Sequence, residues 1–200
     1  MILIAAISLD GAIGHDDELL WHIPEDLKQY KEKTLGNICI VGVTTYDFLP
    51  LYALKGRTHI VISGNYGGDK MRSIDAPDET QPRFNLKTKE VIDTNAEVWN
   101  RSTLKEAIDL AEEIRGEDQK IYVIGGARIY ESMIDLVDEA HITWINKLYP
   151  TANKRFPIDK LFNDFEITGD QNYVKSKSGL SYKFTYYERI NKRYKLSKDD

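Results

Sequence analysis

Two hundred residues, 42% of them hydrophobic, suffice for one well-packed core, and a net charge of −5 lacks the basic surplus a nucleic-acid footprint needs. The single cysteine, Cys39, excludes an intramolecular disulfide, and no run approaches the ~18 apolar residues of a membrane span. With no basic region ahead of a long apolar core at the N-terminus, a cytoplasmic chain with no membrane partner is expected.

In chain order, Ile2 to Ile7 reads as a short apolar strand. It leads through Asp10-Gly11 and Ile13-Gly14 into an acidic loop, then Leu19-Leu20-Trp21. Pro24 opens a helix, because proline suits the first helical position and acids in the first turn complement the dipole. Asn37 to Val43 is a continuous apolar run, the pattern of a strand buried on both faces. Gly42 to Thr45 starts a short helical stretch, and the turn Leu54-Lys55-Gly56-Arg57 precedes a strand over Thr58 to Ser63. Residues 64–96 hold glycines, prolines and charges without a sustained period, so they read as an insertion with a short strand near Glu90 to Ile92. A strand over Glu97 to Asn100 follows, with Ser102 as cap of a helix from Thr103 to about Arg115. Lys120 to Gly125 is another buried strand, followed by Gly126-Ala127-Arg128 and a helix through Met133. Next comes the strand His141 to Ile145. Phe165 to Asp170 and Tyr182 to Glu188, around a Lys-Ser-Lys-Ser-Gly turn, form a C-terminal hairpin. Residues 1–190 thus make one domain and 191–200 a solvated tail. The order predicts a three-layer α/β fold whose central sheet is mainly parallel with an antiparallel edge, helices on both faces.

Four positions invite chemistry. On the first helix Asp26 and Tyr30 are four apart and Leu27 lies beside them, so a carboxylate shares a face with an aliphatic and an aromatic side chain. Turned inward, such an acid has its pKa raised by desolvation and needs a hydrogen-bonding partner; turned outward, it only complements the helix dipole. Gly125-Gly126, between a strand and a helix, lets the backbone approach an anion closely, or is an ordinary tight turn. Thr143 on its strand is a hydroxyl donor or a β-branched filler, and Arg57 is a clamp or a surface charge. His15, His22, His59 and His141 share no metal-ligand spacing, and no Ser-His-Asp or Cys-His set stands out, so no metal is expected.

The order Ala12-Ile13-Gly14, Leu19-Leu20-Trp21, Asp26-Leu27, Tyr30, Thr34, with Gly56-Arg57, Ile124-Gly125-Gly126, Tyr130, Thr143 and Phe156-Pro157 later, resembles the dihydrofolate reductase family. The resemblance implies hydride transfer from NADPH to C6 of dihydrofolate with protonation at N5, by a monomer. It makes Asp26 the acid that reads the pterin, Thr143 its hydrogen-bond partner and Trp21, with the loop from Gly14 to Leu20, part of a lid. Ile4, Ala5, Leu27, Tyr30, Leu49 and Ile124 then wall the substrate, and Arg57 clamps the glutamyl α-carboxylate. Ala6, Ile13, Gly14, Leu19, Gly42, Val43, Thr44, Thr45, Ser63, Gly64, Gly125, Gly126, Ala127, Arg128, Ile129 and Tyr130 fall to the cofactor, with a cis peptide between the paired glycines.

Departures also show. Leu20 stands where the family has proline, Lys55 replaces a proline in the turn before Arg57, and Ala127 replaces a third glycine. Val43 and Gly64 stand where a cation for the cofactor's 2′-phosphate is usual, leaving Thr44, Arg128 and Arg72 as candidates. The alternatives are a reductase of a riboflavin precursor, or a non-catalytic binding module that keeps the fold.

Overall fold

The structure, a computed structural model, describes residues 1–16, 18–49, 55–63, 83–84, 91–92 and 98–190. The chain begins β1 (Ile2–Ser8), β2 (Ala12–Gly14), α1 (Pro24–Thr34), β3 (Ile38–Gly42), α2 (Val43–Phe48) and β4 (Thr58–Ile62). It continues with β5 (Arg83–Phe84), β6 (Val91–Ile92), β7 (Val98–Arg101), α3 (Leu104–Ile114), β8 (Ile121–Val123) and α4 (Ala127–Met133). A 3-10 turn over Ile134–Leu136 precedes β9 (Glu139–Ile145), β10 (Lys154–Arg155), α5 (Ile158–Asp164), β11 (Phe165–Asp170), β12 (Val174–Lys175) and β13 (Ser181–Arg189). These elements gather into two compact units, Met1–Tyr30 with Ala127–Asp200, and Lys31–Gly126.

In the first unit β1 runs parallel to β9, β13 pairs antiparallel on the other side of β9, and β11 lies antiparallel outside β13. Six of the seven residues of β1 are buried, which is why its sequence is an unbroken apolar run rather than an alternation. The expected C-terminal hairpin is present, with β11 spanning Phe165–Asp170. Its turn closes through Ser176 N donating to Leu180 O at 2.8 Å, with Gly179 at φ +87° where a side chain would be strained. The ribbon of β2 and β10, and helix α5, lie outside the expected elements. They are three, two and seven residues long, too short for a period to register.

In the second unit β8, β3, β4 and β7 are all parallel, in that order. Helix α3 lays Ala107, Leu110 and Ala111 inward. Its cap is Thr103 and not Ser102, a correction with a clear cause. Glu106 lies three residues after Thr103, so Glu106 N donates to Thr103 Oγ1 at 3.2 Å and Thr103 N to Glu106 Oε2 at 3.3 Å, closing a reciprocal capping box. Of the expected insertion, β5 and β6 pair antiparallel, and the short strand anticipated near Glu90 is Val91–Ile92. Gly64, Arg72 and the rest of 64–96, as well as the tail 191–200, lie outside the described residues. Among the described residues no helix is long and apolar enough to cross a membrane.

Candidate active site

In the first unit the chain enters α1 through Ile23, 2% exposed and packed on Ile145 and Tyr182. Asp26 N and Leu27 N donate to Ile23 O at 3.1 and 3.2 Å. This anchorage decides which of two adjacent acids faces inward. Glu25 turns to the C-terminal hairpin, where Ser176 Oγ donates to it at 2.6 Å and Lys177 N at 3.1 Å, and these donors hold its carboxyl below the ordinary carboxylate range. Asp26 turns to the sheet, where Thr143 Oγ1 donates to its Oδ1 at 2.6 Å. Burial pushes the Asp26 carboxyl up to about 6, the Thr143 hydrogen bond opposing the rise. The residue keeps partial solvent access, so the group titrates rather than staying locked in one form.

The register of β9 explains the surroundings. Thr143, itself 2% exposed, lies between Ala6 of β1 and Phe184 of β13, with Ile4 and Ala5 opposite His141 and Ile142. Tyr130 is buried against Phe156, ring centroids 5.3 Å apart, and donates its hydroxyl to Ile4 O at 2.8 Å. Burial first, then the nearby Tyr30 and Asp26, push the Tyr130 phenol up, so it acts as a fixed neutral donor. Trp21 packs on the Ile23, Ile145 and Tyr182 cluster and lies 5.4 Å from the Tyr149 ring. Leu27 and Tyr30 are half-buried on the same helix.

The loop after β2 is held by its own bonds. Asp16 N donates to Asn153 Oδ1 at 2.8 Å and Asn153 Nδ2 to Asp16 Oδ1 at 2.7 Å, while Gly14 pairs with Lys154. Ile13 is half-buried and Leu19 is 76% exposed. Ala127 and Ile129 on α4 are half-buried and Arg128 is exposed.

In the second unit the strands present their carboxyl ends together. Gly42 N donates to Gly125 O at 2.7 Å, and the Gly125-Gly126 peptide is cis. Gly125 has φ +101°, and a Cβ on Gly126 would meet Thr45 Oγ1 at 2.6 Å, so both positions demand glycine. That is a backbone cradle which any side chain would fill, and it suits a pyrophosphate. Val43 is buried and Thr44 exposed at the start of α2, with Leu49 half-buried at its end. Ile124, 8% exposed, precedes the glycines. Arg57 is 3% exposed rather than a surface charge: Nε donates to Thr34 Oγ1 and Nη1 to Lys55 O, both at 2.7 Å, which sets its planar fork.

A family model described as dihydrofolate reductase matches residues 1–94 and 83–189. The chain belongs to the dihydrofolate reductase family. It is 29% identical to the dihydrofolate reductase of Buchnera aphidicola from Acyrthosiphon pisum, over 94% of this chain and 98% of that protein. To the enzyme of Mycobacterium leprae it is 29% identical, over 94% and 96%. It also matches a bifunctional dihydrofolate reductase-thymidylate synthase of Paramecium tetraurelia, with 29% identity, and spans 34% of that longer protein. A solved dihydrofolate reductase of Enterococcus faecalis, complexed with NADP(H) and RAB-propyl, shares the fold at TM-score 0.68 and 23% identity, covering 95% of this chain and 96% of its own.

Within this reductase scaffold the structure adds residues the sequence reading passed over. Asn100 and Arg101 close β7 beside Ser63, whose Oγ donates to Asn100 Oδ1 at 2.7 Å. The signal was available: they form a strand-to-helix junction of the kind that singled out Gly125-Gly126. Asp10, bonded to Tyr149 N and Arg155, carried no such signal in the sequence, because its partners lie 139 and 145 residues away.

Proposed function

We infer that the protein is an NADPH-dependent dihydrofolate reductase, producing tetrahydrofolate for one-carbon metabolism. One observation carries the reading beyond family membership: a half-buried carboxyl at Asp26, tied to Thr143 at 2.6 Å and pushed up to about 6. Bound NADPH supplies the hydride that C6 of the pterin receives. Everything else falls to the chain.

Ionised Asp26 accepts hydrogen bonds from the amino group and ring nitrogen along the pterin edge, which raises the basicity of N5. Thr143 engages one carboxyl oxygen and so fixes the orientation of the pair. A water, rather than the carboxyl itself, delivers the proton to N5. Ile4, Ala5, Leu27 and Tyr30 supply apolar contact for the ring, joined by Leu49 and Ile124, and Arg57 pairs with the glutamyl carboxylate through its fork. Ala6, Ile13, Gly14, Leu19, Gly42, Val43, Thr44, Thr45, Ser63, Gly64, Ala127, Arg128, Ile129 and Tyr130 serve the dinucleotide, with its pyrophosphate on Gly125 and Gly126. Trp21 and the loop tied by Asp16 and Asn153 close over the nicotinamide and exclude water. Residues 1–190 act as one reductase domain, monomeric and cytoplasmic.

The test is a decline in absorbance at 340 nm on mixing the protein with NADPH and dihydrofolate. Turnover that requires both substrates supports the reading. Binding of both without turnover refutes it in favour of a binding module.

A further inference from the structure

We propose that Glu25 is a positioning residue for the reaction: seated on the C-terminal hairpin turn, it holds the first turn of α1, and with it Asp26, in the reacting arrangement, an inference that rests on the reductase reading above. Glu25 and Asp26 are consecutive, so their side chains leave the helix about 100° apart and two different surfaces can grip one helical turn.

The hairpin turn is built to receive a carboxylate. Ser176, 5% exposed, donates its hydroxyl to Glu25 Oε2 at 2.6 Å, and Lys177 donates its backbone N–H to Oε1 at 3.1 Å, one donor to each oxygen. The Ser176 oxygen is itself oriented, accepting from Ser178 N at 3.2 Å and from Ser178 Oγ at 3.1 Å. Gly179 N donates to Ser176 O at 2.9 Å and closes the loop. A carboxylate with a donor on each oxygen has a fixed direction, whereas an acid that only complements a helix dipole needs none. The same donors hold the Glu25 carboxyl below its ordinary range, so the seat stays occupied through the pH range in which Asp26 titrates.

Through this seat the helix is tied to the strand that underlies the acid. β12 and β13 flank the turn, with Val174 opposite Tyr182 and Lys175 opposite Ser181. Along β13, Tyr182, Phe184 and Tyr186 share one face. Tyr182 packs on Ile23, with Trp21 and Phe184 against the same cluster. Phe184 stands opposite Thr143 in the register, and Tyr186 accepts from Gln29 Nε2 at 2.9 Å. Burial first, then Glu25 and Asp26, push the Tyr182 phenol up, so both acids are felt at this ring. The helix is thus gripped at Glu25 by the turn, at Asp26 by Thr143 and at Gln29 by Tyr186. Without the Glu25 grip the first turn is free to move out from the sheet, which hydrates Asp26. Burial is the larger influence on the Asp26 carboxyl and the Thr143 bond the smaller, so release lowers its pKa.

The experiment compares the wild type with Glu25→Ala, Glu25→Asp, Glu25→Gln, Ser176→Ala and the double variant Glu25→Ala/Ser176→Ala, all checked by thermal melting. Two quantities are read: the Asp26 carboxyl titration by carbon-13 NMR, and the pH profile of kcat/KM for dihydrofolate with NADPH. Glu25→Ala and Ser176→Ala should each lower the Asp26 pKa by about half a unit to one unit and kcat/KM at pH 7 by about 5- to 20-fold. The double variant should add little to either single one, because both remove the same contact. Glu25→Asp keeps the charge but falls one methylene short of the turn, so it should resemble Glu25→Ala, while Glu25→Gln keeps one acceptor and should lie between. Full function in Glu25→Asp overturns the assignment and leaves Glu25 a partner of the helix dipole. A fall in rate with an unmoved Asp26 pKa overturns it in favour of a purely structural role, and additive losses in the double variant overturn it as well. If Glu25→Ala melts below the assay temperature, Ser176→Ala, which deletes one donor, decides by the same two readouts. Failure of the reductase reading looks different: the wild type then oxidises no NADPH with dihydrofolate, while the NMR titrations still decide the role of Glu25.

Discussion

Replacing Asp26 by asparagine separates what the acid costs the fold from what it gives the reaction. The folded-state pKa is raised from 3.8 to about 6, so folding favours the protonated carboxyl. That contribution is complete below about pH 4 and is lost as pH rises through about 6. Two units at about 1.4 kcal/mol each set an upper limit of about 3 kcal/mol on the cost of holding the ion at pH 8. Partial solvent access lowers the working figure to about 1–2 kcal/mol. Asparagine keeps the acceptor for the Thr143 hydroxyl and carries no charge, so Asp26→Asn should be more stable than wild type by about 1–2 kcal/mol at pH 8. The gain should vanish near pH 4. In a chain of this size it corresponds to about 2–8 °C in Tm.

The assay is urea unfolding of both proteins at half-unit steps from pH 4 to pH 8. In parallel, steady-state turnover at pH 7 should fall about 100-fold or more, with part of the rate returning at low pH, where substrate arrives already protonated. A stability difference that stays flat across this range would refute the reasoning, because it would mean that Asp26 does not titrate in a desolvating environment. Undiminished turnover at pH 7 would remove the residue from the mechanism.

Thr143→Val keeps shape and removes the donor to Asp26 Oδ1; the carboxyl pKa should climb about one further unit, read as an alkaline shift of the kcat/KM profile with little change in thermal stability. Arg57→Ala should weaken dihydrofolate binding about 10- to 100-fold while leaving a pterin without glutamate unaffected. Dihydrofolate affinity left unchanged by Arg57→Ala would favour the reductase of a riboflavin precursor. Because Arg57 is buried on Thr34, Arg57→Lys provides a folded comparison. Gly126→Ala drives a methyl group to 2.6 Å from Thr45 Oγ1, which should cost about 1–3 kcal/mol of stability and raise KM for NADPH. Adding Thr45→Ala should recover much of the loss, and NADPH binding followed by fluorescence checks both variants.

The sequence by itself determined the succession of strands and helices, the proline-led helix bearing Asp26, the glycine pair at 125 and 126, and the hairpin at the C-terminus. Those features are written in periods of two and 3.6 residues and in local turn chemistry, which act between neighbours along the chain. Tertiary structure alone decided which of Glu25 and Asp26 would be desolvated. Both are acids of one helical turn, and the choice came from the packing of Ile23 and from Ser176, 151 residues beyond Glu25. It also decided that Thr143 would meet Asp26 across 117 residues, and that Arg101 would stand beside Ser63. Such meetings depend on which strands become neighbours and in what register, and a single shift of one residue would turn every side chain to the opposite face.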